Sequence, residues 1–152
     1  MRMSSTTWVK SWKRLLTPDM KPLISSNIYA PRGKVAVVGT CLAQMQPEAF
    51  VQVEAMADQI YSLCLEETHV NMAITKLGAA LSTGQIEKLI FATVDRSPHC
   101  TQMHYMKHEL ERMLPLRIPV ENYVAVEDRL IRLDEETLEL SKTLSKLQFM
   151  GK

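Results

Sequence analysis

Apolar residues, many of them β-branched, gather in three short runs along this chain. The runs are residues 34–39, 90–94 and 123–126. Such continuous runs are typical of strands that are covered on both faces of a sheet. Arg129–Leu133 instead alternates polar and apolar positions, which predicts either a short edge strand or an irregular connection. The pattern therefore predicts three to four strands.

Helical periodicity follows the first run. From Pro47 to about Cys64 or Glu66, apolar residues recur at the spacing of a helix with one buried face. We predict that this face consists of Phe50, Val53, Ala57, Ile60, Tyr61 and Cys64. Cys64 is accordingly expected to be an unreactive core residue.

Three further helices are predicted by periodicity and by end signals. One covers residues 69–83 and ends at Gly84, which can adopt the left-handed conformation that closes a helix. Another begins at Pro98 and stops before Pro115, and the last begins after Asp134, a favourable N-cap. The apolar stripe of the last helix is predicted to continue through Leu140, Leu144 and Leu147.

Strands that alternate with helices indicate an α/β fold. We expect residues 34–150 to form a single small three-layer domain, with a mostly parallel sheet of three to four strands. Ligands of such sheets bind at the carboxyl ends of the strands, near the point where the strand order reverses.

Residues 1–33 have a different character and are predicted to form an N-terminal extension. Trp8, Trp12, Leu15 and Leu16 can share one side of a short amphipathic helix, and an extended arm with three prolines follows. So short a helix needs a partner surface, so we expect Trp8 and Trp12 to dock on the domain, on a second copy or on another protein. A membrane surface is the alternative partner.

Composition narrows the class of protein. The chain has 152 residues and a net charge of +1, which gives no general reason to expect nucleic acid as a partner. No apolar run is long enough for a transmembrane segment. Three cysteines without a close pairing motif are typical of a reduced, cytoplasmic protein.

Residues 89–108 combine the strongest local structural signals with reactive side chains. A buried strand is followed by Ser97, a good N-cap, and by Pro98, which suits the first helical position. Cys100 then falls in the first turn, where the helix macrodipole favours a thiolate. Cys41 follows the first strand in the same way, so neighbouring strands would bring both thiols to one crevice.

The first hypothesis for this crevice is a metal site that holds zinc or iron. Cys100, His104 and His108 lie along one helix face, but the outer two are about 12 Å apart, too far to share one ion. We predict Cys41, Cys100 and His104 as the ligand set. Asp95, His99 or His69 could complete such a site.

The second hypothesis is thiol chemistry. Cys100 would be the nucleophile of an enzyme or a redox thiol, with Asp95 or His99 as acid/base and Cys41 as the resolving thiol.

The third hypothesis is a site for a small anionic ligand. It would involve the first helical turn with Arg96 and Ser97, and the loop of Gly39, Thr40 and Cys41. The chain contains neither GxGxxG nor GxxxxGK[ST], so we do not expect a dinucleotide-binding fold.

The leading interpretation is a ligand- or metal-binding protein with a Cys/His/Asp site at the carboxyl edge of the sheet. Its thiols and histidines suggest an accessory subunit in redox metabolism. The alternatives are an enzyme that uses Cys100, and a structural interaction module without chemistry.

Overall fold

A computed structural model describes residues 20–151 as a sheet of six strands packed between helices. The strands are β1 (Lys21–Pro22), β2 (Gly33–Gly39), β3 (Gln59–Leu63), β4 (Ile86–Val94), β5 (Val120–Val126) and β6 (Arg129–Leu133). The helices are α1 (Leu42–Met45), α2 (Pro47–Met56), α3 (Val70–Ser82), α4 (Pro98–Met113), α5 (Glu135–Ser141) and α6 (Leu144–Met150).

The strand order is β1-β3-β2-β4-β5-β6. All neighbouring pairs are parallel except β5 and β6, which are antiparallel. The chain moves from β2 outward to β3 on one side, and then crosses to β4 on the other side of β2. The order therefore reverses between β2 and β4, and this is the point where α/β sheets form a crevice at their carboxyl ends.

The core lies on both faces of the sheet, which gives three layers. On one face, Val35, Val37 and Phe91 pack against α3 and α4. On the other face, Ala36, Val38 and Ile90 pack against α1 and α2. The alternation of side chains along β2 and β4 supplies both clusters, so these central strands are apolar throughout.

The predicted α/β class and mostly parallel sheet are confirmed, but the strand count is wrong. The sheet has six strands instead of three to four. The edge-strand alternative for Arg129–Leu133 is confirmed. The two-residue strand β1 pairs with β3, and Leu23 just after it is fully buried in the core.

The predicted helix from Pro47 to Cys64 or Glu66 is wrong after Met56. Ala57 is extended, and residues 59–63 form β3 beside β2. Two hydrogen bonds fix the turn: the Asp58 amide donates to the Lys34 carbonyl (2.8 Å), and the Lys34 amide donates to Asp58 Oδ2 (2.9 Å). Tyr61 and Leu63 therefore reach the core with a strand period, which differs from the helical spacing predicted for Ile60, Tyr61 and Cys64.

The other predicted helices are present with small changes. Gly84 is left-handed (φ 76°) as predicted, and the Asp134 side chain accepts a hydrogen bond from the Thr137 amide (2.8 Å). The last helix is divided into α5 and α6, so the predicted stripe is wrong at its end: Leu144 is 77% exposed. No helix within residues 20–151 combines the length and the apolarity that a bilayer crossing needs.

The predicted amphipathic helix with Trp8 and Trp12 lies outside the described residues. The proposed division of the chain at residue 33 stays a prediction.

Gly33→Ala is expected to destabilise the protein by about 2 kcal/mol. Gly33 has φ 72°, and a Cβ there would lie 2.6 Å from Asp58 Oδ2, the atom that binds the Lys34 amide. Gly84→Ala is the matched control, because Gly84 has φ 76° but open space around it, so only the backbone strain of about 1 kcal/mol is expected. Urea unfolding measures both variants. Equal losses of unfolding free energy in the two variants would show that the close approach to Asp58 adds nothing to the destabilisation.

Candidate functional site

The three cysteines of the chain lie at the carboxyl ends of three adjacent strands. Cys41 follows β2 by two residues, Cys64 directly follows β3, and Cys100 lies in the first turn of α4 after β4. Since the strand order is β3-β2-β4, the three positions follow one another along one edge of the sheet. Cys100 is buried, and Cys41 and Cys64 are half-buried.

The strand register brings these positions together. Gly39 pairs with Leu63, and the Thr40 amide donates to the Leu63 carbonyl (3.2 Å), so the loop after β2 runs beside Cys64. On the other side, a Cβ on Gly39 would lie 3.5 Å from Cys100 Sγ. The first turn of α4 therefore sits against the end of β2, across the point where the strand order reverses.

The thiols of Cys100 and Cys64 both affect the pKa of the Cys41 thiol. Burial is the largest cause that raises its pKa, and the nearby thiols of Cys100 and Cys64 raise it further, while a backbone hydrogen bond acts in the opposite direction. All three cysteines are free. Cys41 is therefore a protonated thiol at neutral pH in this state.

The start of α4 follows the predicted cap. Ser97 Oγ accepts a hydrogen bond from the Cys100 amide (3.3 Å), and Pro98 occupies the first turn. Arg96 is left-handed (φ 67°), which is unusual for a residue with a side chain, and it turns the chain from β4 into α4. Asp95, Arg96 and His99 are exposed. No side-chain hydrogen bond joins Asp95 or His99 to another described residue, and the prediction of Asp95 or His99 as acid/base for Cys100 stays a prediction.

His104 is 3% exposed and belongs to a buried hydrogen-bond network. The Asn122 amide nitrogen donates to Nδ1 (2.9 Å), so Nε2 carries the proton and donates to Thr93 Oγ1 (2.8 Å). Burial lowers the pKa of His104 to about 4. Both ring nitrogens are thus engaged, and neither is free to bind a metal in this arrangement. The prediction of Cys41, Cys100 and His104 as metal ligands stays a prediction.

A cavity of about 140 Å³ lies beside His104, between the ends of β4 and β5, α4 and α5. Its walls include Thr93, Asp95, Thr101, Val124 and Leu138. Asp95 and His104 therefore meet at this cavity rather than at the cysteines.

His108 lies two turns further along α4, in a separate ionic network. Lys142 Nζ donates to its Nδ1, and its Nε2 donates to Glu135. Lys107 is the largest cause that lowers the pKa of Glu135, through a hydrogen bond of 2.7 Å. These contacts attach α5 to α4.

A comparison with protein families matches residues 31–150 to the Rossmann-like domain family. The chain belongs to this family. No curated protein and no solved structure matches it. This family match shows the architecture and no ligand, so the expectation against a classical dinucleotide-binding fold stays a prediction.

The loop that carries the GxGxxG motif in dinucleotide-binding Rossmann folds is different in this Rossmann-like domain. After the first central strand, such folds place a glycine-rich turn and a helix against the pyrophosphate. Here Gly39 is followed by Thr40 and Cys41, and α1 has only four residues. The predicted anion-site residues lie at the end of β2 and after it (Gly39, Thr40 and Cys41), and after β4 (Arg96 and Ser97), and their role stays a prediction.

Cys64, Thr93 and Asn122 are the site residues that sequence reasoning missed. Cys64 was assigned to a helix, and recognition of the turn at Asp58 would have placed it at a strand end. Thr93 and Asn122 carry no signal of their own, because only the pairing of β4 with β5 brings both to His104.

Proposed function

We propose that this Rossmann-like domain binds a thiophilic metal, zinc or iron, at the carboxyl ends of β3, β2 and β4. Its ligands are Cys41, Cys64 and Cys100, with Cys64 in the place given to His104 by sequence alone. The observation that carries the proposal is that the three cysteines of the chain follow one another along one edge of the sheet, two in loops and one in the first turn of α4.

Three properties of the site support a metal. Thiolates prefer zinc, copper and iron–sulfur centres over hard cations. The N-terminus of α4, a helix of 16 residues, favours negative charge beside Cys100. The thiols of Cys100 and Cys64 both act on the Cys41 thiol, which places all three near one another.

A reversible disulfide between Cys41 and Cys100 is the second candidate. The interaction between the two thiols supports it. Against it, the protonated state of Cys41 gives no activated thiolate, and a disulfide leaves Cys64 without a role.

Zinc titration of the reduced full-length chain against a competing chelator tests the proposal. The wild type is expected to bind zinc stoichiometrically, and Cys41→Ser, Cys64→Ser and Cys100→Ser should each weaken binding by at least about a hundredfold. Thr75→Ser is the control, since Thr75 is exposed on α3, is not among the candidate site residues and should not change affinity.

Two outcomes would contradict a three-thiolate site. One is zinc binding that survives all three cysteine substitutions. The other is loss of binding in Cys41→Ser and Cys100→Ser but not in Cys64→Ser, which would favour a two-thiol site.

A further inference from the structure

We propose that the cavity beside His104 binds a small primary ammonium ligand with a short apolar chain. The Asp95 carboxylate at the mouth of the cavity pairs with the ammonium group, and the apolar walls hold the chain. No cysteine lines this cavity, so the ligand site is separate from the proposed metal site and does not depend on it.

The size of the cavity limits the ligand to a short chain. Pockets for drug-sized ligands usually measure roughly 300–1,000 Å³, whereas this cavity measures about 140 Å³. A water molecule takes up about 30 Å³ of the liquid, so the cavity has room for about five non-hydrogen atoms, the size of butylamine. The side chains of Val94, Val124, Leu133 and Leu138 supply apolar contacts for the chain.

Asp95 gives the cavity a negative charge. It directly follows β4, so the end of a central strand sets its position. Its side chain is exposed, and it forms no hydrogen bond or ion pair with another described residue, including Arg96 beside it. Among the described residues, no lysine or arginine lines the cavity. The carboxylate is therefore available to a cation that enters from solvent.

Two hydroxyl groups of the walls have used their protons and can only accept. The Thr101 hydroxyl donates to the Ser97 carbonyl (3.0 Å). The Ser141 hydroxyl donates to the Leu138 carbonyl (2.7 Å), so its oxygen accepts from the Tyr105 hydroxyl (2.8 Å) and keeps one further lone pair. A protonated amine has three donors and no acceptor, which complements a carboxylate and accepting hydroxyl oxygens.

His104 adds no positive charge to the cavity at neutral pH. Burial lowers the pKa of His104 to about 4, and its ring nitrogens are bound to Thr93 and Asn122. A neutral imidazole with both nitrogens engaged neither repels an ammonium group nor competes for Asp95. The cavity therefore combines one carboxylate with apolar walls and has no cation of its own.

Titration of the full-length chain with n-butylammonium chloride, followed by the amide signals in NMR spectra, tests this inference. We expect saturable shifts at the carboxyl ends of β4 and β5 and in α5, with a dissociation constant in the millimolar range. Asp95→Asn keeps the shape of the side chain but removes its charge, and should weaken binding about tenfold. Glu87→Gln is the matched control, because Glu87 is an exposed carboxylate at the opposite end of the same strand.

Titration with 1-butanol separates the charge of the ligand from its apolar chain. The alcohol has the same chain, and it should bind about tenfold more weakly than butylammonium because it lacks the charge. Equal binding of the two compounds, or equal binding of butylammonium to the wild type and to Asp95→Asn, would overturn the assignment of an ammonium ligand. Shifts that do not saturate, or that lie on another surface, would overturn the site itself.

Discussion

Acidification from pH 7 to pH 4 is expected to lower the free energy of unfolding by about 3 kcal/mol through His104 alone. Burial lowers the pKa of this side chain from 6.5 to about 4. Between these values the unfolded chain binds a proton that the folded protein does not, so stability is lost as pH falls through this window. The difference of roughly 2.5 units corresponds to about 3 kcal/mol, and below pH 4 the loss is complete.

The loss of stability on protonation arises from the immediate surroundings of the His104 ring. Nδ1 accepts from the Asn122 amide, and protonation would turn it into a donor that faces another donor. The same proton would place a charge on a side chain that is 3% exposed.

Urea unfolding of the wild type and of His104→Phe at several pH values between 7 and 4 measures this contribution. The difference between the two proteins should shrink as pH falls, because the variant lacks the titrating group. His69→Gln is the control, since His69 is exposed and should leave the slope unchanged. Carboxylates such as Glu135, whose pKa is lowered, titrate in both proteins and cancel in the comparison. A difference that stays constant with pH would refute the prediction.

Phe91→Ala is expected to have the largest effect on stability, a loss of about 3–5 kcal/mol. Phe91 is fully buried near the middle of β4, in the cluster with α3 and α4. Its removal loses apolar burial and leaves a cavity that the paired strands on both sides cannot close.

Phe149→Ala provides the matched control, because the same substitution then removes a side chain that is 76% exposed. Chemical denaturation should show a change within about 0.5 kcal/mol for this variant. A loss below 1 kcal/mol for Phe91→Ala would mean that β4 is not packed as described.

Local signals in the sequence were sufficient for the central strands and the helix caps. The strand before Gly39 and the cap at Ser97 depend on residues close together in the chain, so the prediction and the structure agree there. β3 was missed because Ile60, Tyr61 and Cys64 recur at helical spacing, and a strand covered on both faces also places apolar residues at adjacent positions. The decisive contacts of Asp58 are with Lys34, more than twenty residues away.

The neighbours of the candidate site residues are set by the pairing of strands, which the spacing of residues along the sequence does not show. The spacing of Cys100 and His104 places both on one face of α4. Which residues that face contacts depends on the order of the strands in the sheet. β5 pairs with β4 and carries Asn122 to His104, whereas β2 carries Gly39 to Cys100. Two residues one turn apart therefore belong to two different environments.

The three side chains along α4 also limit how that helix can move. Cys100 packs at the end of β2, His104 is bound to β4 and β5, and His108 is attached to α5 and to Lys142. A shift along the helix axis would break contacts with all of these elements at once. The helix is held at three points along its axis, so the Cys100 thiol has a fixed position against the end of β2.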